Sequence, residues 1–308
     1  MSIGRFAAAP AESRMTPMAS DRIVVGTDGS ESSVRAVDWA IRHAEVLGVS
    51  VEVVHVWSRP VLSPEVLPIR RDGDAYEARA NALLRIALDT ARHHHGGKLR
   101  GVRGGLLEGD AAEELTRRAR DAHELVVGLH GRGFAGRELL GSVAERCLAA
   151  TIAPVTVVPE PVAHDAHGIV VGVDGSPDSQ AALEFAMSEA VTAHMDLQVV
   201  WAYPPGSAIL DLAEPAAMPT YGSELVRGML EVAIANGAAL PPTLEVVPFP
   251  GRPASALVNG AMGKYELVVG FSGQRGARDR LGSVSRRCAH HATCAVTVVR
   301  AASERGAS

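Results

Sequence analysis

Residues 23–30 read IVVGTDGS and residues 169–176 read IVVGVDGS. Each phrase is an apolar β-branched run that ends in a glycine, an acidic residue, a second glycine and a serine, the composition of a buried strand followed by a sharp turn and a helix start. The repeat continues outward. ELVVG occurs at 124–128 and again at 266–270, GSV at 141–143 and 282–284, and VTVV closes each copy. Two copies of one unit therefore fill the 308 residues, in line with a prior of about 150 residues per domain.

Within each copy, short Val, Ile and Leu runs alternate with stretches whose apolar residues recur at helical spacing, the pattern of a parallel sheet covered by helices. In the first copy the strands are expected near 22–27, 51–57, 101–107, 124–129 and 154–158. The first helix aligns Val34, Val37, Ile41 and Ala44, and its counterpart aligns Leu183, Met187 and Ala190. Strand two reads VEVVHVW in one copy and LQVVWAY in the other, near-continuous apolar runs that suit a strand covered on both faces. The fold class is α/β: two tandem five-stranded parallel-sheet domains with helices on both faces. The boundaries are an arm over 1–20, a first domain over 21–158, a linker over 159–166, a second domain over 167–300 and a tail over 301–308. The linker is recognised by its Pro-rich, aperiodic PEPVAHDAHG.

Composition narrows the function. Hydrophobic residues make up 47% and charged residues 21%, with a net charge of −5, so a broad basic surface for nucleic acid is not expected. No apolar run approaches the roughly 18–20 residues of a membrane span and no signal-peptide core is recognisable, so the expectation is no membrane and a cytoplasmic address. Cys147, Cys288 and Cys294 are too few for a disulfide scaffold and lack a second pair or a His at zinc-ligand spacing; they read as small buried thiols. His93 to His95 read as an exposed helix end, at most an adventitious metal binder, and His290 and His291 as surface residues.

In an open parallel sheet, ligands bind beyond the carboxyl ends of the strands. After strand four the first copy reads GLHGRGFAGRELLGS, which sets Gly128, Gly131, Gly141 and Ser142 in the spacing G, two residues, G, nine residues, G, S. Gly128 and Gly131 would let backbone approach an anion without a Cβ in the way, and Gly141-Ser142 leads into a helix whose free N–H groups favour negative charge, with Ser142 expected as its N-cap. Arg132 and Arg137 add cations between them. The alternative is a glycine-rich turn before a capped helix. Gly131, Gly133 and Gly136 also spell GxGxxG, but after the fourth strand and without the acidic residue about 20 positions on, so a dinucleotide fingerprint is rejected; a Walker loop is absent too. Asp28 and Asp174, directly after the first strand of each copy, can accept a hydrogen bond from a ribose or base, or cap the following helix.

On these residues the chain resembles a tandem universal stress protein, with one domain over about 21–158 and another over 167–300, met through the G-2x-G-9x-G-[ST] motif at Gly128, Gly131, Gly141 and Ser142. The resemblance implies a Rossmann-like three-layer sandwich of the adenine-nucleotide alpha-hydrolase kind that binds ATP, with Mg2+ as an optional companion ion. It would place Thr27 and Asp28 on the adenine or ribose side and Val56, after His55, against the adenine through its backbone. Gly128, His130, Gly131, Arg132, Gly141, Ser142 and Val143 would surround the phosphates. In the second copy the matching positions are Asp174, Ala202, Gly270, Gly273, Gly282, Ser283 and Val284. There only eight residues separate Gly273 from Gly282, Ser272 replaces His130, and Trp201 replaces His55, which sets a large aromatic beside the expected base pocket. Arg275, Arg278 and Arg280 still offer cations, and Ser283 is expected to cap its helix.

The resemblance also implies an intramolecular pseudo-dimer through the last strands near 154–158 and 295–299, with homodimers of whole chains. The function expected is a nucleotide-dependent stress or signalling regulator rather than an enzyme, because no acidic pair for magnesium, no GxSxG elbow and no general base beside the phosphate loop is recognisable. A slow ATPase, adenylate chemistry, or an assembly scaffold with vestigial sites are the alternatives, although VGTDGS matches neither SGGxDS nor HxGH.

Overall fold

The computed structural model describes residues 21–59, 73–97, 99–131, 140–160, 166–203, 218–272 and 280–301. The arm over 1–20, most of the tail, Arg132, Gly133, Gly136, Arg137, Gly273, Arg275 and Arg278 lie outside the described residues. The chain divides after Val158 into two compact units.

The first unit runs β1 (Arg22–Gly26), α1 (Glu31–Leu47), β2 (Ser50–Trp57), α2 (Gly73–His94), β3 (Val102–Glu108), α3 (Ala111–Arg118), β4 (Glu124–Gly128), α4 (Ser142–Ala150) and β5 (Val155–Val158). Its strands hydrogen-bond in the order β3-β2-β1-β4-β5. All pairs are parallel, with Ile23 opposite Val51 and Glu124, and Leu125 opposite Val155. The five expected strands appear within one residue of their predicted ends. Ile23, Val24 and Val25 are all fully buried, because a central strand covered on both faces has no solvent side to alternate toward.

The second unit repeats the plan with β6 (Ile169–Val173), α5 (Pro177–Thr192), β7 (Leu197–Tyr203), α6 (Met218–Ala235), β8 (Leu244–Pro250), α7 (Pro253–Gly260), β9 (Glu266–Gly270), α8 (Ser283–His291) and β10 (Ala295–Val299). The strand order is β10-β9-β6-β7-β8, again parallel. Ile169, Val171 and Val173 pack with Leu183, Met187 and Ala190 of α5 and with Val226 and Leu230 of α6. The intervening Gly172 instead faces Leu257 of α7. The two-residue period of a strand thus assigns one helix pair to each face.

Helix starts follow the serines of the repeat. Ser30 caps α1 by accepting from the Ser33 amide at 3.2 Å, and Ser176 caps α5 from Ser179 at 3.2 Å. In α1, Val37, Ile41 and Ala44 are buried as expected, while Val34 is half-buried near the helix start.

At the amino ends of the first unit's strands, Glu52 is buried yet charged. Arg118 donates to both its oxygens at 2.6 and 3.0 Å, Arg103 lies at 3.3 Å and Arg22 at 3.8 Å. Burial alone would raise this carboxyl, but the Arg118 hydrogen bonds and the charges of Arg118, Arg103 and Arg22 outweigh it and hold the pKa below its ordinary 4.5. A depressed carboxylate pKa contributes stability above the unfolded-state value and loses it as pH falls through the folded one. Glu52→Gln should therefore lower unfolding free energy by about 1–3 kcal/mol at pH 7, since its cationic partners are partly solvated. Thermal unfolding of both proteins should show that difference shrinking below about pH 4.

Candidate functional site

A pocket of about 210 Å3 opens at the carboxyl ends of β1, β2 and β4. Gly26, Thr27 and Asp28 form one wall, Val54 and Val56 another, Ala111 and Leu115 of α3 a third, and Gly128, His130, Gly131 and Gly141 to Ala144 the last. Of the first-copy positions predicted from sequence, all described ones meet here; Arg132 lies outside the described residues.

The first wall is built by side chains that bond to their own turn. The Thr27 hydroxyl pairs with Ser33 Oγ at 3.1 Å, and Asp28 Oδ1 accepts from the Ser30 amide at 2.9 Å. Gly29 between them has φ 75, a left-handed turn that favours glycine. Of the two roles left open for Asp28, the cap of α1 belongs to Ser30, and Asp28 shapes the turn before it. Its Oδ2 lies 3.0 Å from where a Cβ on Gly131 would stand, so strand-one turn and phosphate-loop glycine face each other directly. His55 points to the opposite face of the sheet from Val54 and Val56 and pairs its Nδ1 with the Thr27 carbonyl at 2.7 Å.

The last wall is the start of α4. Ser142 is not its N-cap: Gly141 occupies that position with φ −60 and ψ 145, no side chain among the described residues caps the helix, and Ser142 is the first helical residue, exposed. The Gly141 amide donates to the Leu129 carbonyl at 2.8 Å, and a Cβ on Gly141 would come within 3.0 Å of that oxygen. The first N–H groups of α4, which no intrahelical carbonyl can reach, thus lie at the pocket without a capping side chain. Gly128 also has a packing part. A Cβ there would strike Ser32 of α1 at 2.8–2.9 Å, so its smallness lets α1 sit against β4 as well as lining the pocket. Asp110, the N-cap of α3, ties α3 to α4 through two bonds from Arg146 at 2.7 and 2.8 Å. Those Arg146 bonds, with the Glu113 amide, hold the Asp110 carboxyl below its ordinary range.

The second unit keeps the frame. Asp174 Oδ1 accepts from the Ser176 amide at 2.9 Å, the Gly282 amide donates to Phe271 at 2.8 Å, and Gly282, not Ser283, is the N-cap of α8. Two features depart. Asp178 stands where Ser32 stands in the first unit; its Oδ2 accepts from the Ser272 amide at 2.9 Å and hydroxyl at 2.6 Å, and its Oδ1 from the Ala301 amide at 2.8 Å. Trp201 is not beside the base pocket. It packs on Tyr203 and Tyr221, against Gly222 of α6 and within the α5–α6 core, because strand alternation turns position 201 away from the face of Ala202. Sequence reasoning missed Asp178, and in the first unit Gly26, Ser33, Val54, Ala111, Leu115, Val127 and Ala144; Val54 was within reach, since it shares the strand face of Val56.

The sequence model of the universal stress protein family matches residues 19–159 and again 167–300. The chain belongs to the universal stress protein family. It is 30% identical over 303 residues to a universal stress protein of Mycobacterium tuberculosis, covering 90% of this chain and 94% of that one. It is 31% identical over 293 residues to one of Mycolicibacterium smegmatis, covering 90% and 96%. The crystal structure of a universal stress protein from Archaeoglobus fulgidus superimposes with a TM-score of 0.66 at 21% identity, over 92% of this chain and 99% of that one, a likeness of fold. No helix among the described residues is long and apolar enough to cross a membrane.

The three thiols take no part in such a site. Burial pushes Cys147, Cys288 and Cys294 each up to about 12, so the nucleophilic thiolate is scarcely populated at neutral pH. Iodoacetamide at pH 7.5 should leave all three unlabelled in native protein and label all three in denaturant, read by intact mass.

Proposed function

We propose that the first unit binds an adenine nucleotide, ATP foremost, and that occupancy rather than turnover is the regulatory signal in a stress or signalling response. The observation that carries this reading is the pairing of an uncapped α4 N-terminus with a pocket whose far wall is apolar and whose rim bears Asp28. First-turn amides that no intrahelical carbonyl reaches and the positive end of the helix dipole favour a polyanionic tail. Val54, Val56 and Leu115 offer a flat apolar seat for a purine, and Asp28 an acceptor for a ribose hydroxyl or amino group. The pocket lies below the roughly 300–1,000 Å3 of drug-sized ligand sites, so it suits the nucleoside, with the phosphates extending along the start of α4.

Mg2+ usually enters such sites through one or two carboxylates plus the phosphates themselves. Among the described residues Asp28 is the one carboxylate lining the pocket, so the ion would ride chiefly on the nucleotide. In the second unit Asp178 puts a carboxylate on the amide of Ser272, which works against a second polyanion there. The family's frame is thus retained twice, with the first unit as the stronger binder.

Gly128→Ala is a poor test, because the added methyl would strike α1. Ser142→Glu is a cleaner one: the side chain is exposed and an acidic residue in a first turn suits the helix while repelling phosphate. Isothermal titration calorimetry with ATP should give about one site per chain, and Ser142→Glu should weaken it roughly tenfold or more with little change in thermal midpoint. Equal affinity in the two proteins would remove α4 from the site. Nucleotide released from purified protein, identified by chromatography, reports which adenine nucleotide it carries.

A further inference from the structure

Several charges of the first unit find their partners inside it. The histidine triplet, expected from sequence to be an exposed helix end, is one case: α2 extends to His94, whose Nδ1 lies 2.6 Å from Asp38 Oδ2 of α1. The face formed by α3 and α4 is another. Arg118 bonds Glu52 at 2.6 Å, Arg117 bonds Glu114, and Arg146 bonds Asp110 at 2.7 and 2.8 Å. Residues 109–150, which hold this face, carry six Lys and Arg against seven Asp and Glu.

The corresponding face of the second unit, made by α7 and α8, reverses the balance. Residues 251–291 carry seven Lys and Arg against two Asp and Glu, in a chain whose net charge is −5. Of those two acids, Glu266 is fully buried and Asp279 lies outside the described residues. The repeat aligns Gly109 with Gly251, and Gly141-Ser142 with Gly282-Ser283, so the exchanges are read position by position. Asp110 becomes Arg252, Glu113 and Glu114 become Ser255 and Ala256, and Glu145 becomes Arg286, while Arg146 is kept as Arg287. The two positions that make the Asp110–Arg146 ion pair in the first unit are thus both arginine in the second. Arg252, Lys264, Arg280 and Arg287 form no ion pair among the described residues, and all but Lys264 are exposed.

The fold gains nothing from this arrangement. Arg252 is the N-cap of α7, where a cation opposes the positive end of the helix dipole, and like charges at a bridging pair of positions repel. The first unit shows that the same plan accepts an aspartate there and gains an ion pair by it. The compensating anion is therefore external. Four of the five described cations are arginine, whose planar fork matches a carboxylate, and Met262 beyond the end of α7 is 64% exposed. Arginine and methionine are residues enriched where proteins meet. A long nucleic acid fits less well: α8, with 9 residues, is about 14 Å long, and the rest of the chain is acidic in net charge.

We propose that the α7–α8 face of the second unit docks a short acidic segment of a partner protein, whose carboxylates take the place that Asp110 and Glu145 hold on the first unit. Arg252, Arg286 and Arg287 are its central cations. The face shares no residue with the nucleotide pocket of the first unit.

The test is fluorescence anisotropy with a fluorescein-labelled peptide of about ten glutamates, and with a labelled oligothymidine of similar charge as a second arm. The full chain should bind the peptide, more weakly as salt rises. Arg252→Asp and Arg286→Glu, each of which installs the first unit's residue, should each weaken it roughly fivefold or more. Arg85→Glu, the same change of charge at an exposed position of α2, should leave the affinity within about twofold. Arg252→Asp should also raise the thermal midpoint, because it gives Arg287 the carboxylate that Asp110 gives Arg146; weaker binding by a more stable protein separates docking from misfolding. Absence of peptide binding by the wild type overturns the proposal. So does an equal loss in Arg85→Glu, which would reduce the effect to net charge, and so does tighter binding of the oligothymidine, which would assign the face to nucleic acid. If one site variant fails to fold, the other decides.

Discussion

A single backbone contact, the Gly141 amide donating to the Leu129 carbonyl, sets the chemistry of the first unit. It brings the start of α4 so close to the end of β4 that a Cβ at the N-cap position would press on the Leu129 carbonyl at 3.0 Å. The ordinary solution to a helix start, a serine or aspartate folded back on the amides, is used at α1, α3 and α5, whereas α4 has glycine at its N-cap. What remains at α4 is a first turn whose amides face the pocket with no capping side chain among the described residues. The rest of the unit serves this contact: parallel pairing brings the ends of β1 and β4 together, Gly128 lets α1 close against β4, and Arg146 holds α3 to α4 through Asp110.

The duplicated unit shows how little must change to alter such a site. The same glycine opens α8, with the same amide-to-carbonyl bond to Phe271. Exchanging Ser32 for Asp178 replaces a neutral acceptor with a carboxylate that binds three groups of the loop and the chain end. A fixed internal anion and an incoming polyanion compete for the same potential, and the internal one needs no entropy to arrive. Duplication followed by such exchanges yields two copies of one fold that differ in the charge facing the loop after their fourth strand.

Most of the architecture was legible because it rests on local signals. IVVG followed by DGS specifies a buried strand, a left-handed glycine and a serine-capped helix without reference to the rest of the chain. What was hidden depends on partners distant in sequence. Ser142 looked like a cap because serine after glycine often is one; only the approach of Leu129, twelve positions earlier, moves the cap to Gly141. Trp201 looked like an obstruction until strand alternation assigned it to the α6 face. His94 and His95 looked exposed because nothing nearby in sequence announces Asp38, 56 residues before His94. The site itself was half legible: its glycines and Asp28 carry a spacing, whereas Leu115 and Ala111 are unremarkable helix residues whose place in the pocket is decided by how α3 lies on the sheet.

The most direct measurement is the amide chemical-shift response of isotope-labelled protein to ATP. The account predicts that the amides of Ser142, Val143 and Ala144, with His130 and Gly131, move together and saturate, while those at the amino ends of the strands around Glu52 stay still. Saturating shifts confined to another surface, or none at all, would contradict it.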